Sequence, residues 1–337
     1  MAIIHSGSDA DLTFLASVLR AGGVVAVPTE TVYGLAANAF NVDACRRVFE
    51  IKGRPPHDPL IVHAASRIAA DSVAQFNVLA DELAPRFWPG PLTMVLRKRP
   101  LVPGIVTSGR ATVAVRVPAH PLFRALLERS GLALAAPSAN PFGYVSPTSA
   151  AHVQESLGTA VDHILDGGPC AVGIESTIVD ATNPHDPVIL RVGGVPREDL
   201  ERVLGRPVRV HQRAANPIPE TGANPATGEI APGMLDKHYS PRTPLELRER
   251  AFMADDQPPV NGGVARVYFQ KPPGVDPASG IHWLSEQGDV AEAARRLFAL
   301  LREVDAAGYT RIICEPAPAE GLGTAINDRL RRAAART

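Results

Sequence analysis

Apolar positions from Asp9 to Arg20 recur at helical spacing. Leu12, Leu15, Val18 and Leu19 share one face, Ser8 stands where a cap belongs, and Gly22-Gly23 stop the helix. The unbroken run "VVAVP" comes next and reads as a buried strand. Short apolar, β-branched runs predict further strands at 59–63, 92–98, 111–118, 132–138, 176–180 and 188–191. Helical patterns lie between them at 42–51, 66–73, 76–86, 120–130 and 148–156. Strands and helices mixed without strict βαβ alternation predict an α/β domain with a mixed, twisted sheet.

The pattern stops after about Val210. Positions 214–241 are dense in Pro, Gly, Asn and Thr, lack an apolar period and read as a linker between a first domain, 1–213, and a second, 242–337. In the second unit "VARVYF", "IHWLS" and "RIICEP" predict strands. A long helix is predicted with Val290, Leu297, Leu301 and Val304 on one stripe. The expectation is a smaller, Rossmann-like α/β domain.

Composition narrows the function classes. With 337 residues and 45% apolar content, each domain can bury a core. A net charge of -1 gives no general attraction to nucleic acid or membranes, so a polyanion must be met locally. Cys45, Cys170 and Cys314 lie far apart without a C-x-x-C pair, which indicates neither a disulfide framework nor a thiolate metal site. The N-terminus lacks a basic region followed by an apolar stretch, and no run approaches the roughly 20 apolar residues of a membrane span. A cytoplasmic protein without membrane contact is expected.

Candidate chemistry clusters at predicted strand ends. In "EIKGRPPHDPL", Lys52 and Arg54 flank Gly53 at an expected loop. Together they offer a point charge and a planar fork suited to phosphate oxygens; two solvated surface cations are the plain alternative. The usual Gly-rich phosphate loops are missing. "LAAPSANPFGYVSPTS" runs a strand into Ser138, Asn140, Ser146 and Thr148, where an open α/β sheet collects ligands, although Ser and Asn also form ordinary turns. No nucleophile elbow surrounds Ser138. Arg116 lies inside the alternating "VAVRVP", sharing a face with Thr112 and Ala114 opposite Val113, Val115 and Val117. A cation there needs an anion, either an internal carboxylate or a ligand's. His63 ends "PLIVH" and reads first as a structural histidine. "GGPCAVGIESTIVD" brings Glu175, Ser176 and Thr177 to a strand start, and Arg191 closes "ILRVGG" beside two glycines. In "GMLDKHYSP", Lys237, His238 and Tyr239 read as an anchor docking the linker on the first domain. Four cations among many hydroxyls, with few general bases, suit binding a polyphosphate and a small carboxylate.

In their order, "VPTETVYGLAANAF", "IKGRP", "HDPLIVH", "FWPGPLTMVL", "VAVRVP", "APSAN", "SPTS", "GIESTIVD" and "ILRVGG" resemble the YrdC-like threonylcarbamoyl-AMP synthases. "APGMLDKHYSP" before a small α/β domain resembles their two-domain branch. The resemblance implies a twisted sheet with a concave, positively lined cavity. It also implies an activity: L-threonine, bicarbonate and ATP, assisted by magnesium, give L-threonylcarbamoyl-adenylate and pyrophosphate. The product then passes to a separate transferase for tRNA modification, with weak or indirect tRNA contact; zinc, flavin and NAD are not implied. By position, the family's catalytic set falls on Lys52, Arg54, Ser138 and Asn140. Its ATP contacts fall on Arg54, Asp58, Thr112, Ser138, Ser146, Arg191, His238 and Tyr239, with the linker closing as a lid. Its threonine contacts fall on Thr31, His63, Arg116, Ala136 and Ser176, with Gly34 expected to let the chain turn beside them. Asp58 stands where many members carry Asn, and Glu30 is expected to orient a neighbour or a magnesium water. Two other classes compete with this one. An RNA-binding module is disfavoured by the near-neutral charge and 5% aromatic content. A hydrogenase-maturation carbamoyltransferase is disfavoured because the cysteine pairs and acylphosphatase segment of those relatives are missing.

Overall fold

A computed structural model describes residues 1–211, 238–248, 263–274 and 280–335. Lys237 and linker positions 214–237 lie outside the described residues.

The strands of the first unit are β1 (Ile3–His5), β2 (Val25–Val27), β3 (Gly34–Asn38), β4 (Ile61–His63), β5 (Ala74–Gln75), β6 (Leu92–Lys98), β7 (Thr112–Arg116), β8 (Leu134–Ala135), β9 (His163–Leu165), β10 (Thr177–Asp180), β11 (Val188–Arg191) and β12 (Arg209–Val210). They form one mixed sheet in the order β1-β9-β2-β3-β8-β4-β7-β6-β10-β11-β12, with β5 paired to β6. The helices are α1 (Asp9–Arg20), α2 (Val42–Lys52), α3 (Arg67–Ala70), α4 (Val78–Phe87), α5 (Gly104–Thr107), α6 (Pro121–Ser130), α7 (Ala150–Leu157) and α8 (Arg197–Leu204). Ser8 and Asp11 form a reciprocal capping box on α1.

Side-chain alternation decides which sheet face each helix covers. Val25, Val27 and Ala36 meet α1 and α6 through Leu15, Leu19, Phe123 and Leu126. Ala26, Leu35 and Ala37 face α2 and α7 through Val48 and Val153 on the other side. Farther along the sheet, Val62, Met94, Leu96, Val113 and Val115 are buried under α4 and α8 by Leu79, Leu83 and Leu200. The opposite face carries a small apolar floor of Ile61, Val95, Ala114, Ile178 and Leu190. Arg116 lies two residues beyond Ala114 on that floor, as the alternation of "VAVRVP" predicts.

Several predicted elements shorten, the 66–73 helix to the four residues of α3 among them. The predicted strand at 132–138 shortens to β8, because Pro137 and Pro141 punctuate the chain beyond it; Ser138 still bridges back to Gly34, and the Pro137 carbonyl accepts from the Leu35 amide at 2.7 Å. Gly34 does not supply a left-handed turn but opens β3, where a Cβ would lie 3.2 Å from the Ala136 Cβ. Its role is close approach of two strands.

The second unit has four parallel strands, β13 (Leu245–Leu247), β14 (Val264–Gln270), β15 (Ile281–Ser285) and β16 (Arg311–Cys314), ordered β13-β16-β14-β15. They carry α9 (Val290–Ala306) and α10 (Leu322–Ala334). The unit packs directly on the first. Arg302 of α9, 4% exposed, donates to the Val145 carbonyl at 2.6 Å and the Ser156 hydroxyl at 2.8 Å. Tyr144 donates to Asp305 at 2.8 Å. Gly173, at φ +79°, lies so close to α9 that a Cβ would come within 2.4 Å of the Arg295 Cα. Val32, Val145 and Ile174 join Phe298 and Leu301 in one continuous cluster.

Candidate functional site

The segment after β2 is tied down by its own hydroxyls. Thr29 Oγ1 accepts from the backbone of Thr31 and Val32 at 3.0 and 3.1 Å, donates to the Val32 carbonyl at 2.7 Å, and shares a hydrogen bond with Thr31 Oγ1. This turn presents Thr31 and Glu30 to Arg116. The guanidinium donates to Thr31 Oγ1 and the Gly90 carbonyl at 3.0 Å each, and pairs with Glu30 Oε1 at 2.6 Å. Glu30 is itself held by the Ala119 amide at 3.0 Å. Arg116 therefore has an internal carboxylate partner and also lines the cavity; Glu30 orients it.

Lys52 is the last residue of α2, and Gly53 ends the helix in the left-handed region at φ 61°, so the expected loop begins one residue later. Neither neighbouring cation is a solvated surface group: Lys52 is 3% and Arg54 7% exposed. Lys52 Nζ donates to the Ser138 and Asn140 carbonyls at 2.5 and 2.6 Å. Burial, with Arg54 close by, holds its pKa well below the ordinary lysine value. Arg54 donates to the carbonyls of Asp58 and Pro59 at 3.1 and 2.8 Å and pairs with Asp58 Oδ1 at 2.8 Å. Burial raises the Asp58 carboxyl and its neighbouring cations lower it, with burial the larger effect. Arg191, at the end of β11, donates to the Ser176 carbonyl at 3.0 Å and its hydroxyl at 3.2 Å; that hydroxyl also meets Thr93 Oγ1 at 2.8 Å.

These groups surround a cavity of about 50 Å³, room for a few waters. Of the expected threonine contacts, Thr31, His63, Arg116, Ala136 and Ser176 all line it. So do Arg54, Ser138, Arg191, His238 and Tyr239 from the nucleotide and catalytic sets. Lys52, Asn140, Asp58 and Ser146 are buried around it without lining it. Asn140 donates to the Pro141 and Tyr144 carbonyls, and Ser146 to Glu175 Oε1 at 2.6 Å. Thr112 lies on the Arg116 face, at the start of β7, and does not line this cavity.

His63 lines the cavity, and burial beside Arg116 pushes its pKa down to about 3. It is neutral near pH 7. His238 and Tyr239 close the cavity, ring centroids 4.1 Å apart, with Tyr239 at φ 62° stacked on Phe298 of α9. The linker's end is thus anchored on both units rather than on the first alone. Burial and the surrounding cations keep His238 neutral too.

The sequence pointed to the Thr-Glu-Thr end of the first predicted strand as lining the threonine pocket without giving Thr29 a role of its own, left Arg329 unassigned and gave Glu175 no role. Thr29 could have been found from the hydroxyl pair flanking Glu30. Arg329 carries no local signal of a site, since besides its neighbour Asp328 its hydrogen-bond partners Glu175 and Val192 lie in the other unit. Its guanidinium, fully buried, donates to Glu175 Oε2 at 2.9 Å. Among the described residues, five buried cations (Lys52, Arg54, Arg116, Arg191, Arg329) meet three buried carboxylates here (Glu30, Asp58, Glu175). The arrangement can hold an anionic group beside a small carboxylate.

Comparison with known proteins places this geometry. Residues 17–193 match the Sua5_yciO_yrdC family, described as "Telomere recombination", and residues 195–335 match the Sua5_C family, "Threonylcarbamoyl-AMP synthase, C-terminal domain". A Pyrococcus abyssi threonylcarbamoyl-AMP synthase is 40% identical over 94% of this chain and 92% of its own length. A Bacillus subtilis protein of the same name is 39% identical over 98% and 94%. The crystal structure of P. abyssi Sua5 complexed with L-threonine superposes with a TM-score of 0.84 at 36% identity, covering 99% of this chain and 97% of that one. The chain belongs to the family of YrdC-like threonylcarbamoyl-AMP synthases, in the branch that carries a second, C-terminal domain.

Proposed function

We propose that this protein is an L-threonylcarbamoyladenylate synthase, converting L-threonine, bicarbonate and ATP to L-threonylcarbamoyl-AMP and pyrophosphate for tRNA threonylcarbamoyladenosine modification. The observation that carries the reading is the excess of buried cations over carboxylates around one cavity, most of them held by main-chain carbonyls. Family membership and the named relatives support it.

In this reading Arg116 receives the threonine carboxylate. Glu30 and Thr31 fix the fork so that the amine points toward the cations. The amine attacks carbon dioxide derived from bicarbonate, loses a proton and becomes a carbamate. A carbamate oxygen then attacks the ATP α-phosphorus, the bond to the bridging oxygen breaks, and pyrophosphate leaves. Both reactants are anions that repel, so Lys52, Arg54 and Arg191 lower the barrier by fixed charge, as preorganised donors do. His63 and His238, neutral, supply no charge of their own.

Glu30, Asp58 and Glu175 are each engaged by an arginine. Among the described residues no group of three or more His, Cys, Asp or Glu could hold a metal. In this reading magnesium would enter with the ATP phosphates as part of the substrate, adding charge neutralisation. In this reading His238 and Tyr239, which line the cavity, move aside to admit the nucleotide and return to keep water from the labile mixed anhydride. That is the lid reading of the linker. The product would be handed to a separate transferase. No helix among the described residues is long and apolar enough to cross a membrane, and cytoplasmic action is part of the proposal.

The direct test is pyrophosphate release with ATP, magnesium and bicarbonate. Release that requires L-threonine is expected, with L-serine about 10 to 200 times poorer because only one buried methyl separates them; equal release without amino acid would remove the reading. Lys52→Ala and Arg54→Ala should each lower turnover on the order of a hundredfold with the fold retained by circular dichroism, and wild-type rates in both would sink the phosphate assignment. Deleting 217–241 should spare threonine binding, measured by calorimetry, and impair adenylate formation; unchanged turnover would refute the lid.

A further inference from the structure

Among the buried apolar side chains of the sheet floor, Ile61, Val95, Ala114, Ile178 and Leu190, only Ile61 lines the cavity. Strand register fixes where it stands. β4 and β7 run parallel with Ile61 beside Ala114 and His63 beside Arg116, and alternation puts all four side chains on one face. Two cations mark the ends of β4. Arg116 is level with His63 at the carboxyl end, and Arg54 donates to the Asp58 and Pro59 carbonyls just before the amino end. Both arginines line the cavity. The Ala136 amide donates to the Ile61 carbonyl at 2.9 Å, which fixes the backbone that carries this side chain. An apolar group thus stands between the fork that suits a carboxylate and the fork that suits a phosphate.

We propose that Ile61 is the specificity-determining residue of the amino-acid subsite: it receives the methyl group of L-threonine and is the contact that serine lacks. The inference rests on the proposed activity. With the substrate carboxylate on Arg116, the amine and the hydroxyl both need polar partners, and Thr31, His63 and Ser176 line the cavity to supply them. The methyl needs an apolar one. Val32 lines the cavity too, but its side chain packs in the cluster of Tyr239 and Phe298 toward the C-terminal unit. Ala136 offers a single carbon, already crowded by the close approach of Gly34. Ile61 is β-branched, with little rotamer freedom, and sits on the same face as Arg116, so it presents a fixed apolar surface beside the bound carboxylate. That surface also sets an upper limit. An ethyl group in place of the methyl would overpack against it. The site takes a β-hydroxy amino acid of threonine's size, favours it over serine through one methyl, and turns away the next homologue.

The test compares L-threonine, L-serine and β-hydroxynorvaline, which carries an ethyl group where threonine has a methyl. Binding is read by calorimetry on the nucleotide-free protein, and turnover as kcat/KM for pyrophosphate release. Ile61→Ala should cut the threonine-to-serine ratio about tenfold, the worth of one buried methyl, by weakening threonine while leaving serine nearly unchanged. It should also admit β-hydroxynorvaline. The dissociation constant for ATP should not move. Leu190→Ala loosens the same floor without lining the cavity and should keep the wild-type ratio, as should Val32→Ala. Should Ile61→Ala fail to fold, Ile61→Val gives the same reading with a smaller fall in the ratio. An unchanged ratio in the Ile61 variants, an equal fall in Leu190→Ala, or a larger one in Val32→Ala would each overturn the assignment. Wild-type protein that releases no threonine-dependent pyrophosphate would instead count against the activity, while the calorimetric ratios still decide the role of Ile61.

Discussion

The cost of burying cations governs this site. Lys52, Arg54, Arg116 and Arg191 are each less than 9% exposed, and moving such groups out of water costs several kcal/mol apiece unless polar partners replace the water. The fold supplies those partners as carbonyl oxygens (Ser138 and Asn140 for Lys52, Asp58 and Pro59 for Arg54, Gly90 for Arg116, Ser176 for Arg191) and, for Arg54 and Arg116, also as the Asp58 and Glu30 carboxylates. Carbonyls orient a cation without cancelling its charge. The chain around the cavity is therefore shaped by its cations, and their positive field persists for an incoming anion.

This constraint also explains the proline- and glycine-rich segments. The backbone of "APSANP" leaves the regular ladder after Ala135: the Pro137 carbonyl still accepts from Leu35, while the Ser138 and Asn140 carbonyls turn to Lys52. The hydroxyls of the "TET" turn do comparable work in fixing Thr31 and Glu30 beside Arg116. The second unit adds Arg302 and Arg329, which reach into the first through further carbonyls and Glu175.

How much of this could be read from the residues depended on whether the cause was local. The β6 and β11 runs and the α1 box have local signals, and the structure places them at 92–98, 188–191 and behind Ser8. The grouping of Thr31, His63, Arg116 and Ser176 came from the family motifs; spacing alone left Arg116's partner open between a ligand and an internal acid. β3 was missed because "GLAAN" has no β-branched residue and owes its pairing to β2 and β8. α10 was missed because Gly321 gives it no side-chain cap and its buried face is rich in Ala and Gly. Arg329 was invisible because its partners across the two units, Glu175 and Val192, are over a hundred residues away in sequence.

Among the described residues, buried cations outnumber buried carboxylates around the cavity, and the claim is that this excess favours a polyphosphate. Unfolding of the protein should be followed with adenosine, pyrophosphate and magnesium-ATP at matched ionic strength. A ligand at a hundred times its Kd stabilises by about 2.7 kcal/mol. Pyrophosphate and ATP are predicted to raise stability while adenosine alone does little. Stabilisation by adenosine equal to that by ATP, with none from pyrophosphate, would contradict the claim.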